Sequence, residues 1–164
     1  MTLEAPAPFT IIDFTDAHAD AFYTLNAEWI SAMYRLEPHD IEVLRHPRAA
    51  ILDSGGIIRL VQAAEGRIVG TCALIHTGDG QFELTKMAVT EALRGQKTGE
   101  ALLLHMIDAA HALPAKRLYL LTNTKCEAAI HLYEKLGWMH DAQVMRDFGS
   151  TYARCDVAMS YPLA

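Results

Sequence analysis

Residues 83–101, ELTKMAVTEALRGQKTGEA, decide the fold of this chain of 164 residues. Residues 84–89 form an apolar run typical of a buried strand, and a polar turn then leads into RGQKTG at 94–99 and a strongly apolar helical segment. A loop between the carboxyl end of a strand and a helix N-terminus presents unpaired backbone N–H groups in one direction, and the helix dipole adds partial positive charge there. The stretch therefore predicts a strand–loop–helix unit that binds a phosphate or pyrophosphate.

The pattern on either side of this unit predicts a meander of strands followed by a crossover. Helices are expected over 16–33, 38–45 and 97–113, and an apolar face over 129–136 predicts one more, which ends at Gly137. Strands are expected over 8–14, 57–64, 67–76, 81–89 and 117–122, and the tail over 152–161 is expected to supply two closing strands. This order indicates an α/β fold in which helices cover a mixed sheet.

Length and composition indicate a compact soluble protein. The length fits a single domain, residues 1–164, and no apolar run approaches the roughly 20 residues that span a bilayer. The first residues lack a basic and an apolar region, so we expect no secretory signal and a cytoplasmic protein without a membrane partner. The three cysteines have no CxxC spacing and are expected to be reduced thiols.

Charge and histidine spacing exclude two classes of ligand. The net charge of −6 argues against a nucleic-acid partner and is compatible with an amine substrate. The eight histidines form no HxxxH or HExxH pair, so we expect no metal site.

Two segments resemble the GCN5-related N-acetyltransferase (GNAT) superfamily. Residues 94–99 are similar to its acetyl-CoA loop, Arg/Gln-x-x-Gly-x-Gly/Ala: Arg94 and Gly99 match, and Lys97 stands where the family usually has a glycine. Residues 126–138, CEAAIHLYEKLGW, are similar to Asn-x-x-Ala-x-x-x-Tyr-x-x-x-Gly-Phe, with Cys126 at the asparagine position and Asn123 as its substitute. The runs LNAEWI, RLEPHD and ELTKMAV also resemble the acetyltransferase half of regulators fused to a MarR-type domain, although we expect no such extra domain here.

The resemblance implies both an architecture and an activity. The expected fold is the GNAT fold, a mostly antiparallel mixed sheet with a central splayed parallel strand pair and helices on both faces. The expected enzyme moves the acetyl group of acetyl-CoA to a primary amine by direct attack in a ternary complex, without an acetyl-enzyme at Cys126. A non-catalytic acyl-CoA binding or sensing module is the alternative.

The chemistry needs a base for the amine and an acid for the departing thiolate. Glu83 is the candidate base, and its alternative is a glutamate at a strand end that faces solvent. Tyr133 is the candidate acid, and its alternative is a core tyrosine on an apolar helix stripe.

The resemblance assigns the coenzyme to the end of the strand and the loop that follows it. A β-bulge in the strand would free the N–H groups of Met87, Ala88 or Val89 for the thioester carbonyl, whereas a fully paired strand would not. The pyrophosphate would be held by Arg94 and the amides of Gly95, Gln96, Lys97, Thr98 and Gly99. We expect Lys97 to be helical already, so that lysine is harmless there. Asn123 would bond the pantetheine arm or the substrate, or serve as a plain turn residue.

The acceptor would lie between the first helices and the last strands. Glu28, Glu37 and Tyr152 are the candidate substrate residues, with Arg35, Asp40 and Arg154 in similar positions. An ordinary charged surface is the alternative for all of these. The sequence identifies neither the small-molecule or peptide amine nor the oligomeric state, for which a homodimer is our guess.

Overall fold

A computed structural model describes residues 9–90 and 97–163 of the chain. Within that part, seven strands form one sheet in the order β1-β2-β3-β4-β5-β7-β6. The strands are Phe9–Asp13 (β1), Ile57–Ala63 (β2), Ile68–Gly78 (β3), Gln81–Val89 (β4), Arg117–Thr122 (β5), Met139–His140 (β6) and Val157–Tyr161 (β7). The main helices are Ala19–Met33 (α1), Pro38–Arg45 (α2), Thr98–Ala112 (α3), Glu127–Lys135 (α4) and Ala142–Phe148 (α5).

Helices lie on both faces of the sheet, which confirms the predicted α/β architecture. The larger apolar core packs α3 and α4 against one face, with Leu102 and Met106 fully buried. On the other face, α1 and α2 bury Phe22 and Leu44 against β2 and β3. Helix α5 packs beside them through Val144, over β5 and β7.

The centre of the sheet is a parallel pair, β4 and β5, that separates halfway along its length. The two strands pair from Gln81 opposite Arg117 to Leu84 opposite Leu120 and no further. Both continue past that point, so a gap opens between their carboxyl halves. The expected splayed parallel pair is therefore present, and the gap is where a ligand has room.

A β-bulge lies in β4 where the gap opens. Thr71 of β3 pairs with Ala88 and Ala73 pairs with Thr85, so β4 carries one residue more than β3 between these points. Lys86 takes up the difference with a left-handed φ of 54°, which is rare for a residue with a side chain. The Thr71 hydroxyl donates to the Lys86 carbonyl at 2.9 Å and holds the distortion in place.

The prediction of two closing strands over 152–161 is wrong. Only Val157–Tyr161 is a strand there, and the other closing strand is the short Met139–His140, with α5 between them. Residues before β7 cannot join the sheet, because the Ala153 N–H donates to the Glu37 carboxylate at 2.7 Å. Asp141 is the N-cap residue of α5, and its carboxylate accepts from the N–H groups of Gln143 and Val144. The helix is too short for a clear helical period.

Candidate active site

A cavity of about 80 Å³ occupies the gap between β4 and β5. Its walls come from both strands, from α1, from α4 and the loop before it, and from the segment before β7. The side chains that matter for the chemistry are Trp29, Tyr34, Lys86, Asn123, Tyr133 and Tyr152. The predicted catalytic tyrosine and one predicted substrate residue therefore meet at one site.

Glu83 lies beside this cavity rather than in its wall. Its side chain projects from β4 away from the α3 and α4 core, and the residue is only 3% exposed. The Tyr152 hydroxyl lies 3.2 Å from the Glu83 Oε2 atom. Burial raises the pKa of Glu83 to about 7, and the positive charge of Lys86 limits that rise. Glu83 is therefore a buried carboxyl group whose pKa is raised toward neutrality and which lies one hydrogen bond from the cavity.

Tyr133 contacts the cavity directly from α4. It is 8% exposed and packs in the core beside Trp138, with the ring centroids 6.0 Å apart. Burial and the nearby thiols of Cys72 and Cys126 raise the pKa of Tyr133 above its ordinary value. The phenol therefore keeps its proton at neutral pH, as a proton donor must.

The backbone of β4 beyond the bulge has N–H groups that face the gap. Thr90 N donates to Val69 O at 2.8 Å, and Thr71 pairs with Ala88 on the same side. Because N–H groups alternate along an antiparallel ladder, those of Met87 and Val89 point away from β3, toward the opened side. The Ala88 N–H points toward β3 instead. Two of the three predicted backbone donors thus face the gap.

The predicted phosphate loop is described only in part. Arg94, Gly95 and Gln96 lie outside the described residues. The sequence analysis expected Lys97 to be helical. In the structure its backbone is left-handed, with φ of 59°, and it is the N-cap residue of α3. Such a left-handed position favours glycine, and this chain has a lysine there.

The expectation that Lys97 is helical is therefore wrong, because the chain needs a left-handed residue to turn into α3.

The first turn of α3 has an unpaired hydroxyl and close packing. Thr98 is 1% exposed, and its hydroxyl has no hydrogen-bond partner among the residues that the structure describes. A Cβ atom added to Gly99 would lie 3.6 Å from the Met87 Cε atom, so α3 packs closely on β4 here. A buried hydroxyl at a helix N-terminus can donate to an anion.

Asn123 lines the cavity, but its amide is already bonded within the protein. Its Nδ2 atom donates to Arg154 O at 2.8 Å, and its Oδ1 atom accepts from Lys125 N at 2.9 Å and from the Tyr34 hydroxyl at 3.2 Å. The same hydroxyl lies 3.2 Å from the Cys126 sulfur. Asn123 thus fixes the loop after β5 and has little capacity left for a ligand.

The three predicted substrate residues lie in different places. Glu37 is bonded to the backbone of Ala153 at 2.7 Å and to the guanidinium of Arg154 at 3.1 Å, so it ties α2 to the segment before β7. Glu28 is exposed and lines a neighbouring groove between α1 and the end of β4, which shares Trp29 with the cavity. Tyr152 alone contacts the cavity.

An ion cluster at the cavity joins Asp40 and Arg154, which the sequence placed near the acceptor, to Lys86, which it did not identify. The Lys86 ammonium donates to Asp40 Oδ1 at 2.9 Å, and the Arg154 guanidinium donates to both oxygens of Asp40 at 2.7 and 2.9 Å. Burial alone would raise the pKa of Asp40, but the hydrogen bonds from Arg154 and the charge of Lys86 outweigh it and hold that pKa well below its usual range. The signal in the sequence was a lysine inside an apolar strand, LTKMAV, which is an unusual place for a charge.

Two other features are absent from the described part of the chain. Residues 9–90 and 97–163 contain no group of three or more His, Cys, Asp or Glu side chains placed to hold a metal ion. No helix in these ranges is long and apolar enough to cross a membrane.

Comparison with known proteins agrees with this geometry. The model of the acetyltransferase (GNAT) domain matches residues 56–140, more than half of the chain. A GNAT-family acetyltransferase from Staphylococcus aureus Mu50 has a similar structure, with a TM-score of 0.85 and 22% identity over 95% of this chain and 99% of that one. An acetyltransferase from Streptococcus agalactiae 2603 has a TM-score of 0.78 and 18% identity over 95% and 99% of the two chains. Spermidine N-acetyltransferase from Vibrio cholerae, in complex with CoA and spermine, has a TM-score of 0.69 and 17% identity over 95% of each chain. No curated protein matches.

The chain therefore belongs to the GNAT acetyltransferase family. The class of protein that the fold and the family define is an acetyltransferase. The similarity to the MarR-fused regulators stays a prediction.

Proposed function

We propose that the protein moves the acetyl group of acetyl-CoA to a primary amine by direct attack in a ternary complex, with Glu83 as general base and Tyr133 as general acid. One observation carries the proposal: the cavity in the β4–β5 gap has Tyr133 in its wall and the Tyr152–Glu83 pair at its side. A proton donor and a proton acceptor thus serve the same small space, as acetyl transfer requires.

The residues present fit acetyl-CoA. The N–H groups of Met87 and Val89 face the gap and could bind the thioester carbonyl oxygen. The Thr98 hydroxyl, which has no partner among the described residues, and the N-terminus of α3 suit an anion such as the pyrophosphate. The coenzyme supplies an activated acetyl group, and the chain supplies its position and the proton transfers. The role of Arg94, Gly95 and Gln96 in this loop stays a prediction.

The pKa directions support the two catalytic roles. Glu83, with its pKa raised by burial to about 7, is a stronger base than an ordinary carboxylate and can accept a proton from the amine. Tyr133 stays protonated because burial raises its pKa, so it can donate to the departing thiolate. The polar group beside the Cys126 sulfur is the hydroxyl of Tyr34, which is not a base, and this favours direct attack over an acetyl-cysteine.

The amine acceptor is supported by the chemistry of the site. The carboxylate of Glu83, when it is ionised, lies beside a cavity whose wall includes the aromatic rings of Trp29 and Tyr34. A cationic amine suits such a site. The similar Vibrio cholerae structure, which contains spermine, also supports an amine.

The test is release of free thiol from acetyl-CoA with a panel of a monoamine, a polyamine, an amino acid and a peptide N-terminus. Glu83→Gln and Tyr133→Phe should each lower kcat by about 10²-fold or more, the usual contribution of a general base or acid. Glu42→Gln and Tyr23→Phe are matched controls on α2 and α1 and should turn over like the unmodified protein.

Two outcomes would contradict the proposal. Turnover within threefold of normal in both variants would remove the acid–base assignment. A protein that turns over no amine, yet melts at a higher temperature with acetyl-CoA and not with ATP or NAD, would be the acyl-CoA binding or sensing module instead.

A further inference from the structure

The Tyr152 hydroxyl stands between the cavity and Glu83. It lies 3.2 Å from Glu83 Oε2, and its side chain forms part of the cavity wall, whereas that of Glu83 does not. Both residues are at least 96% buried. A proton that leaves an amine in the cavity therefore meets the hydroxyl before it meets the carboxylate.

The hydrogen-bond directions at this hydroxyl are set by Lys86. The Lys86 ammonium lies 3.3 Å from the Tyr152 oxygen and can only donate, so the oxygen accepts there. The hydroxyl proton is then available for Glu83. The second lone pair of the oxygen has the Thr85 hydroxyl at 3.4 Å as its nearest protein partner, a long contact that an incoming donor can replace.

The backbone bulge and an ion pair with Asp40 fix the position of Lys86. It occupies the bulge with φ of 54°, and its ammonium is fixed 2.9 Å from Asp40. A strained backbone and a buried charge at one residue persist only where the surroundings strongly determine them. The bulge therefore directs Lys86 at the Tyr152 oxygen.

We infer that Tyr152 relays a proton from the acceptor amine to Glu83, and that Lys86 is a positioning residue that orients the Tyr152 hydroxyl. The inference rests on the proposed function. In the relay, an N–H bond of the acceptor ammonium breaks and its proton binds the Tyr152 oxygen. The O–H bond of Tyr152 breaks as its proton binds Glu83 Oε2. The tyrosine ends neutral, the amine has its lone pair free, and Glu83 is protonated.

Burial of Glu83 favours this final state, and the positive charges of Lys86 and Arg154 oppose it only in part. Two cations, Lys86 and Arg154, face three carboxylates, those of Glu37, Asp40 and Glu83. The cluster has one excess negative charge while Glu83 is ionised and is neutral once Glu83 holds a proton. The titratable and charged groups that face the Glu83–Tyr152 pair are Lys86 on β4, Glu37, His39 and Asp40 on and before α2, Tyr119 on β5, and Arg154 and Cys155 before β7.

Burial and the charge of Glu83 raise the pKa of Tyr152 well above its usual range. The phenol thus does not act as a base by itself. It passes a proton on only as it receives another, and this distinguishes a relay from a second base.

The test is a double-mutant cycle on kcat and its pH dependence, with acetyl-CoA and the amine that gives the fastest thiol release. Tyr152→Phe removes one oxygen and keeps the ring, and we expect kcat to fall at least tenfold while KM for acetyl-CoA stays within twofold. Glu83→Gln combined with Tyr152→Phe should be no slower than Glu83→Gln alone, because the two groups act in series. Both single variants should lose the rise of kcat with pH that is centred near the pKa of Glu83.

Lys86→Met provides a check that leaves Tyr152 in place. We expect kcat to fall by threefold to tenfold with unchanged KM for acetyl-CoA, and this loss should vanish in a Tyr152→Phe background. If Tyr152→Phe does not fold, unchanged kcat in Lys86→Met overturns the positioning role. Tyr23→Phe is the control for loss of a phenol on another element.

The outcomes separate the relay from the function on which it rests. Full activity of Tyr152→Phe with an inactive Glu83→Gln overturns the relay and leaves the base assignment intact. Losses that multiply in the double variant also overturn the relay. Full activity of Glu83→Gln overturns the base assignment, and the relay with it.

Discussion

Removal of one charge from Asp40 should destabilise the protein strongly. The Asp40 side chain is fully buried, and its two oxygens accept four hydrogen bonds: from Lys86 at 2.9 Å, from Arg154 at 2.7 and 2.9 Å, and from Glu37 N at 2.9 Å. Every partner is a donor. In Asp40→Asn the amide NH₂ group must therefore face two donors, whichever way it is turned, and two buried cations lose their shared counter-ion.

The expected cost is about 3–5 kcal/mol, the usual loss when one member of a buried ion pair is removed. In a chain of this length that corresponds to a fall in Tm of roughly 10 °C. Lys86→Met should cost less, about 1–2 kcal/mol, because Asp40 keeps the bidentate Arg154 and loses one charged hydrogen bond. The double variant should lose less than the sum of the two, by about 1 kcal/mol or more.

Urea unfolding at pH 7.5 with a thiol reductant measures these costs, with fluorescence of Trp29 and Trp138 as the signal. Glu42→Gln removes an exposed carboxylate from the same helix and should change the free energy of unfolding by no more than about 0.5 kcal/mol. A cost below about 1 kcal/mol for Asp40→Asn would refute the reasoning, since it would mean that the cluster contributes no more than an exposed ion pair.

Three further predictions concern pH, backbone strain and close packing. In the folded state the pKa of Glu83 is about 7, against an ordinary value of 4.5. The contribution of the Glu83 proton to stability is therefore complete below pH 4.5 and is lost as pH rises through 7. Urea unfolding should show the unmodified protein losing on the order of 3 kcal/mol relative to Glu83→Gln between pH 5 and 9, and parallel curves would contradict this. Lys97→Gly should raise the free energy of unfolding by about 1 kcal/mol, because glycine adopts the left-handed φ of 59° without strain. Lys97→Ala should leave the free energy of unfolding nearly unchanged, and equal effects of the two variants would argue against strain. Gly56→Ala should cost at least about 2 kcal/mol, because its Cβ would overlap the Leu74 carbonyl and lie 2.9 Å from Ile51 O, and a melting temperature as high as that of Gly99→Ala would disprove the clash.

The sequence predicted the elements whose pattern is local. Strand β5 has the predicted bounds, because an apolar run buried on both faces ends where polarity returns. Helix α3 differs by one residue at each end, and the misplaced residue at its start is the left-handed Lys97. The tail could not be predicted in the same way. The chain before β7 is fixed by Glu37, 116 residues away in sequence, and no local pattern contains that contact.

The sequence pointed to candidate site residues only where they lie in or beside a recognisable motif. Tyr133 follows from its place in the second motif, and Glu83 from its position before the apolar part of β4. Their relation to the cavity did not follow, because the Tyr152–Glu83 hydrogen bond joins residues 69 apart. The inward direction of Lys86 depends on the bulge, and the bulge depends on the register between β3 and β4, which no single strand reveals.

The bulge at Lys86 also changes which alternate residues of β4 face the core under α3 and α4. Before it, the even-numbered Phe82 and Leu84 enter the core under α3 and α4; after it, the odd-numbered Met87 and Val89 do so. A deletion of Lys86 would restore simple alternation and leave Met87 and Val89 in phase with Phe82 and Leu84, whereas a strand of the same length without the bulge would send Met87 and Val89 to the opposite layer. A relative whose β4 is one residue shorter here is therefore expected to keep these core side chains in place and to lose the ammonium group beside Asp40.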